Sequence, residues 1–129
     1  MNTSRFLRRS ARAAFTLIEI MIVIMIIGLI ASAALPALNR NMQSARKQTI
    51  ISNLRQIDMI KTQWAAENKK GDGETPAETD LAPYFNSQKF PTSVVGEKYN
   101  INPVGTRPTA TVGSKLLDVP AGGEVSIPD

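Results

Sequence analysis

The sequence predicts an α+β protein, with one long N-terminal helix, first apolar and then amphipathic, packed on a small antiparallel β-sheet head. Three observations carry this expectation. Residues Phe15 to Leu35 form a 21-residue apolar run broken by a single charge, Glu19. Residues 37–70 contain neither Gly nor Pro, and apolar side chains recur through them at helical spacing. At Gly71 the composition changes: seven of the eight prolines lie beyond residue 75, between short alternating runs. On this basis the chain divides into a basic leader (1–14), a membrane-length helix (15–36), an amphipathic continuation (37–70) and a β head (71–129).

Composition narrows the function classes. The 129 residues include no Cys and no His, which removes disulfides, thiol nucleophiles and the commonest zinc ligands. The usual general base is gone as well. A net charge of +4 invites a nucleic-acid or membrane-surface reading, but position decides otherwise. Arg5, Arg8, Arg9 and Arg12 lie in the first 14 residues, which hold no acid; from Phe15 onward 11 basic residues face 11 acidic ones. The excess charge belongs to the leader, and direct nucleic-acid binding is not expected without a basic stripe beyond it. Neither a Gly-rich phosphate cradle nor a Ser-centred hydrolase elbow occurs, so no catalytic residues, cofactor or enzymatic activity are expected. Asp72, Glu74, Glu78 and Asp80 crowd a Gly-containing loop without the alternating order of a calcium loop. They read as a solvated acidic loop, and no metal site is assigned.

The apolar run, as a helix, spans about 31 Å at roughly 1.5 Å per residue, which matches a bilayer's hydrocarbon core. The four arginines before it favour a cytoplasmic N-terminus, a bias that Arg40, Arg46 and Lys47 weaken without reversing. Three readings compete: a secretory signal cut at Ala31-Ser32-Ala33, an uncut signal anchor, and a chain cut just before Phe15. The run exceeds the ~7–15 residues of an ordinary signal's apolar region and carries a carboxylate near its start, which opposes the first. Glu19 separates the rest. A carboxylate costs about 2.5–3.5 kcal/mol at the centre of a membrane helix and less near its end, so the plain reading is that it snorkels from the first turn. A cut between Ala14 and Phe15 gives it a partner. The new α-amino group, with a pKa of about 7.7–8.0, lies four residues or roughly 6 Å of helix from Glu19. A neighbouring subunit displaced axially by that rise places its amine beside this carboxylate. In low dielectric the pair is strong and sets the register between subunits.

The string Ala14-Phe15-Thr16-Leu17-Ile18-Glu19-Ile20-Met21-Ile22-Val23 resembles the prepilin processing motif of type IV pilins and type II secretion pseudopilins. The resemblance is strong over roughly the first third of the chain, residues 5 to about 40. It implies cleavage between Ala14 and Phe15 and N-methylation of Phe15 by a membrane-embedded prepilin peptidase. It also implies an assembly role for Glu19, with Thr16 beside it, and a helix kink at Pro36. The expected partners are copies of this chain in a homo-oligomeric filament, other pilins or pseudopilins, and the bacterial inner membrane, with the head outside the cytoplasm. The family usually has Gly before the cut, where this chain has Ala14; as the nearest residue in size, it is expected to permit processing. The absence of a Cys pair leans toward a pseudopilin of a type II secretion system. The alternative is a monomeric signal-anchored, or secreted, small binding domain.

Past the membrane segment, Pro36 removes one backbone hydrogen bond, and it either ends that helix or loosens it as a joint. Ile50, Leu54, Ile57, Ile60 and Trp64 then form one apolar face, with Trp64 as the core anchor. Gln43, Arg46, Lys47, Asn53, Arg55, Gln56, Lys61 and Gln63 are assigned to the polar surface around it. Gly71, after Lys69 and Lys70, is the expected stop, giving a helix on the order of 80 Å from about residue 16 to 69. Thr75-Pro76-Ala77-Glu78 reads as a capping box opening a short helix toward Tyr84-Phe85, which Pro83 limits or forces to start later, near Thr79. Lys98 to Asn102 and Thr109 to Val112, about Pro103-Val104-Gly105-Thr106, predict a hairpin. Leu116 to Val119 and Glu124 to Ile127 are candidates for further strands. The segments Asp80 to Phe85 and Lys98 to Thr106 also resemble the heads of small pseudopilins.

Overall fold

The computed structural model describes residues 14–129; the leader expected at 1–14 lies, but for Ala14, outside them. In chain order the elements are α1 (Leu17–Glu67), α2 (Glu78–Leu81), a 3-10 turn (Ala82–Tyr84), β1 (Lys98–Asn100), β2 (Thr109–Thr111) and β3 (Glu124–Ser126). The α+β class expected from the sequence is present: a long N-terminal helix and a small antiparallel sheet. Two units separate, one ending at Ala37 and the other running Leu38–Asp129.

In the second unit the sheet has the order β1-β2-β3, antiparallel throughout. Tyr99 pairs with Ala110 and Ala110 with Val125, so one central residue from each strand shares a row. All three are buried while their strand neighbours are half-buried or exposed, as the twofold alternation of a pleated strand requires. Ile50, Leu54 and Ile57 of α1 are fully buried in the same core, with Trp64, Leu81, Phe85, Val112 and Leu116. Fully burying an Ile or Leu contributes about 1.5–3 kcal/mol, so this helical stripe is the main apolar support of the sheet. Phe90 stands edge-on to both Phe85 and Tyr99, at centroid separations of 5.7 and 6.0 Å.

The helical seam is wider than the expected one, since Ile51 and Ala65 are also buried, and it exchanges one residue for its neighbour. Ile60 is only half-buried, whereas Lys61, assigned above to the polar surface, is 1% exposed. The buried positions 50, 54, 57, 61 and 64 alternate steps of four and three, the spacing of one helix face, and Lys61 belongs to it. Its ammonium donates to the carbonyls of Ile101 and Pro103, at 3.2 Å each, and to that of Thr106. Asp58 Oδ1 lies 3.5 Å away. The β1–β2 connection supplies carbonyls in excess of donors, since Pro103 and Pro108 have no N–H to give. Lys61 reaches across to satisfy them. Burial lowers the lysine's pKa from its ordinary value, and the carboxylate of Asp58 opposes that shift.

Glu97, also buried, receives the N–H groups of Val94 and Val95 at 2.8–2.9 Å and the hydroxyl of Tyr99 at 2.7 Å. Asn53 Nδ2 donates to the same Tyr99 oxygen at 2.8 Å, linking α1 to the sheet through a polar chain. Desolvation pushes the Glu97 carboxyl up, but the donors together outweigh it and hold the group below the usual carboxylate range. The Tyr99 phenol is raised, chiefly by burial.

Three boundaries differ from the sequence expectation. Helix α1 ends through Lys69, not Gly71: Lys69 has φ 54°, and the Lys70 N–H donates to the Ala65 carbonyl at 2.9 Å, a Schellman closure. A left-handed C-terminal residue is normally Gly, and here a lysine bears the strain. The N-cap of α2 is Ala77, with Asp80 Oδ2 accepting from its N–H at 3.0 Å, so Asp80 replaces the expected Thr75 and Glu78 pairing. Leu116 and Val119 form no strand but close a tight turn, each donating to the other's carbonyl at 2.9 Å.

Candidate assembly site at the N-terminal helix

In the first unit α1 begins with a cap that the sequence carries in plain form. Thr16 Oγ1 accepts from the Glu19 N–H at 3.3 Å, and the Thr16 carbonyl accepts the same N–H at 3.1 Å. Thr16 is therefore the N-cap and Glu19 the third helical residue, the positions of a Ser/Thr-x-x-Glu capping box. Glu19 is an acidic side chain in the first turn, where the helix dipole favours negative charge. The two predicted residues Thr16 and Glu19 are thus brought together, and the bond between them orients the start of the helix. Sequence reasoning valued Glu19 for its charge and missed its place in the cap, although Thr16-Leu17-Ile18-Glu19 spells the signature.

Around that cap every side chain is exposed. Phe15 is 75% exposed and Leu17 77%, and the apolar side chains from Ile18 to Leu35 stay open to the outside. In this stretch α1 is long and apolar enough to cross a membrane, and none of the spanning window is buried. An apolar surface of this size has no place in water, so bilayer or partner helices must cover it. Ala14 precedes the helix in exposed chain without regular structure. Pro36 lies inside α1 without interrupting it; its missing N–H leaves the Ser32 carbonyl without its helical donor. Ser32 Oγ meanwhile donates to the Leu29 carbonyl at 2.8 Å one turn earlier.

Residues 9–35 match the family model described as the prokaryotic N-terminal methylation motif. That stretch holds Ala14, Phe15, Thr16 and Glu19 together, so all four lie inside the matched motif. The chain is also similar to the type II secretion system core protein G of Klebsiella michiganensis, with 33% identity over 64 residues. That alignment takes in 50% of this chain and 45% of the relative, so the chain spans about half the length of the curated protein it matches. No solved structure matches it.

The long helix and small antiparallel sheet found here are the pilin-like arrangement that the motif implies. Among the described residues one helix is long and apolar enough to cross a membrane, which, together with the type II secretion relative, fits a single-pass membrane protein. The four residues expected at the N-terminal site divide by position. Ala14 and Phe15 are exposed and lie just outside the helix, while Thr16 and Glu19 shape the helix's first turn. Pro36 stands apart from all four, twenty residues beyond the cap.

Proposed function

We propose that this chain is a structural subunit of a type IV pilus-like filament, a pseudopilin serving a type II secretion system. The leader is removed between Ala14 and Phe15, and Phe15 then carries a methylated α-amine. Residues 15–36 hold the subunit in the inner membrane, with the cytoplasm on the leader side, until it joins the filament, where 37–70 and the 71–129 head complete the protomer. Glu19 is the register residue. Its carboxylate sits on an otherwise apolar, uncovered surface, and the amine of an adjacent subunit neutralises it. Pro36 supplies a loosened helical joint. The observation that carries this reading is the uncovered apolar start of α1 with one carboxylate in its first turn: a monomer leaves both the surface and the charge without partners.

The test is the intact mass and N-terminal sequence of the protein purified from its native membrane. The proposal requires a methylated Phe15 start. A start at Ala34 would instead mark a secreted domain, and an uncut Met1 a signal-anchored one; either overturns the processing and the filament role together.

A further inference from the structure

In the second unit an open groove of ≈ 740 Å³ is lined by Arg40, Gln43, Lys115, Leu117 and Asp118. Its charges are unbalanced. Lys47 Nζ holds Asp118 at 2.8 Å, which cancels the one carboxylate on the wall. Among the described residues, neither Arg40 nor Lys115 enters an ion pair, so two cations face one groove without an acidic counterpart.

The far wall is built, not incidental. It is the tight turn closed by Leu116 and Val119, and Leu117 at its corner has φ 52°, a left-handed conformation that a leucine adopts only when held there. The holders come from α1: Gln43 Oε1 accepts the Leu117 N–H at 3.0 Å, and Lys47 grips Asp118 one helical turn later. Two side chains of the helix thus fix a strained turn against the same face that carries Arg40. The turn that follows Lys115, with its half-buried Leu117 side chain, is held in place before any ligand arrives, which lowers the ordering cost of binding.

Chain continuity supplies the ligand. Arg40 follows Leu35, the last residue of the apolar run, by five residues, so it cannot lie more than about 18 Å from the end of that run. Two unpaired cations beside an apolar corner at that depth suit one chemistry: a phosphodiester joined to an acyl glycerol. We propose that this groove binds the headgroup of an anionic phospholipid, Arg40 and Lys115 taking the phosphate and Leu117 the glycerol edge. The subunit is thereby seated at a defined depth on the membrane surface before assembly. The inference rests on the membrane reading above and goes beyond it.

The test uses the full chain in lipid nanodiscs of phosphatidylcholine with a minor share of phosphatidylglycerol, followed by gentle release and a count of each lipid retained per chain by native mass spectrometry. A cation near an anionic surface is worth about fivefold in binding, so Arg40→Gln with Lys115→Gln should lower the retained ratio of phosphatidylglycerol to phosphatidylcholine by roughly 20- to 30-fold. Arg55→Gln with Lys98→Gln removes two exposed cations elsewhere on the unit and should leave the ratio at the wild-type value. An equal fall in both double variants, or none in the first, overturns the site. Displacement of the lipid by excess free glycerol phosphate would assign the groove to a soluble phosphate ester and overturn the lipid reading. A chain that fails to enter nanodiscs at all overturns the membrane reading itself, a result distinct from insertion without lipid preference.

Discussion

Replacing Lys61 by Met tests whether a buried ammonium organises the head. The aliphatic stem is kept, so packing along the α1 seam changes little. What disappears is the donor to the carbonyls of Ile101, Pro103 and Thr106. Thr106 is exposed and water can replace its partner, whereas Ile101 and Pro103 are half-buried and cannot be fully rehydrated. Each such acceptor left unmet costs about 1–3 kcal/mol. Against this, the variant no longer desolvates a charge, but three carbonyls and Asp58 already offset most of that cost in the wild type, so only part of the deficit is relieved. The two half-buried acceptors sum to about 2–6 kcal/mol, and the net loss should be ~1–3 kcal/mol. For a unit of this size that lowers the melting temperature by roughly 5–15 °C. Trp64 is the sole tryptophan and is buried on the same helix, so its emission during urea unfolding of the detergent-solubilised chain reads the head directly. Lys98→Met, at an exposed site, serves as the control and should stay within about 0.5 kcal/mol. A Lys61→Met protein as stable as that control would refute the argument and show that water satisfies the loop unaided.

Three further outcomes follow from the same physical picture. Glu19→Ala should leave membrane insertion intact while lowering the yield of sheared filament, because the register partner is removed; wild-type filament yield would count against the pairing. Ala14→Gly should speed removal of the leader and Ala14→Trp should block it, both read as the precursor-to-mature ratio on a gel; no change in either would place the cut elsewhere. Glu97 has a folded-state pKa below its unfolded one, so its stabilising contribution is complete above the unfolded value of about 4.3 and is lost as pH falls through the folded value. Glu97→Gln should therefore flatten the acid limb of the stability–pH curve below about pH 4.3, and an acid limb identical to wild type would contradict the hydrogen-bond account.

Much of the fold was legible because its signals are local. An apolar run of membrane length, a Gly- and Pro-free stretch with a helical stripe, and a hairpin flanked by turn residues each declare themselves within a few residues. The observed β1, β2 and β3 fall inside the predicted segments, and Ile50, Leu54, Ile57 and Trp64 are core residues as expected. The N-terminal motif is local in the same sense, since helix capping and peptide-bond accessibility depend on neighbours in sequence. Lys61 shows where that kind of reasoning stops. Its register marked it for the buried seam, yet its charge argued for the surface, and the conflict is resolved only by three carbonyls some forty residues away.

Glu97 and the Leu116–Val119 turn were illegible for the same reason. A carboxylate is buried when backbone donors converge on it, and convergence is a property of folded chain. A leucine takes a left-handed backbone only when contacts hold it there: for Leu117, those contacts are Gln43 and Lys47 from a helix more than seventy positions earlier. The sequence by itself determined the class, the membrane-length helix, the N-terminal methylation motif and most of the apolar seam, because each rests on periodicity or on adjacent residues. The tertiary structure alone decided which charges are buried, which turn is strained and which cations share a groove, because those depend on groups that meet only after the chain has folded.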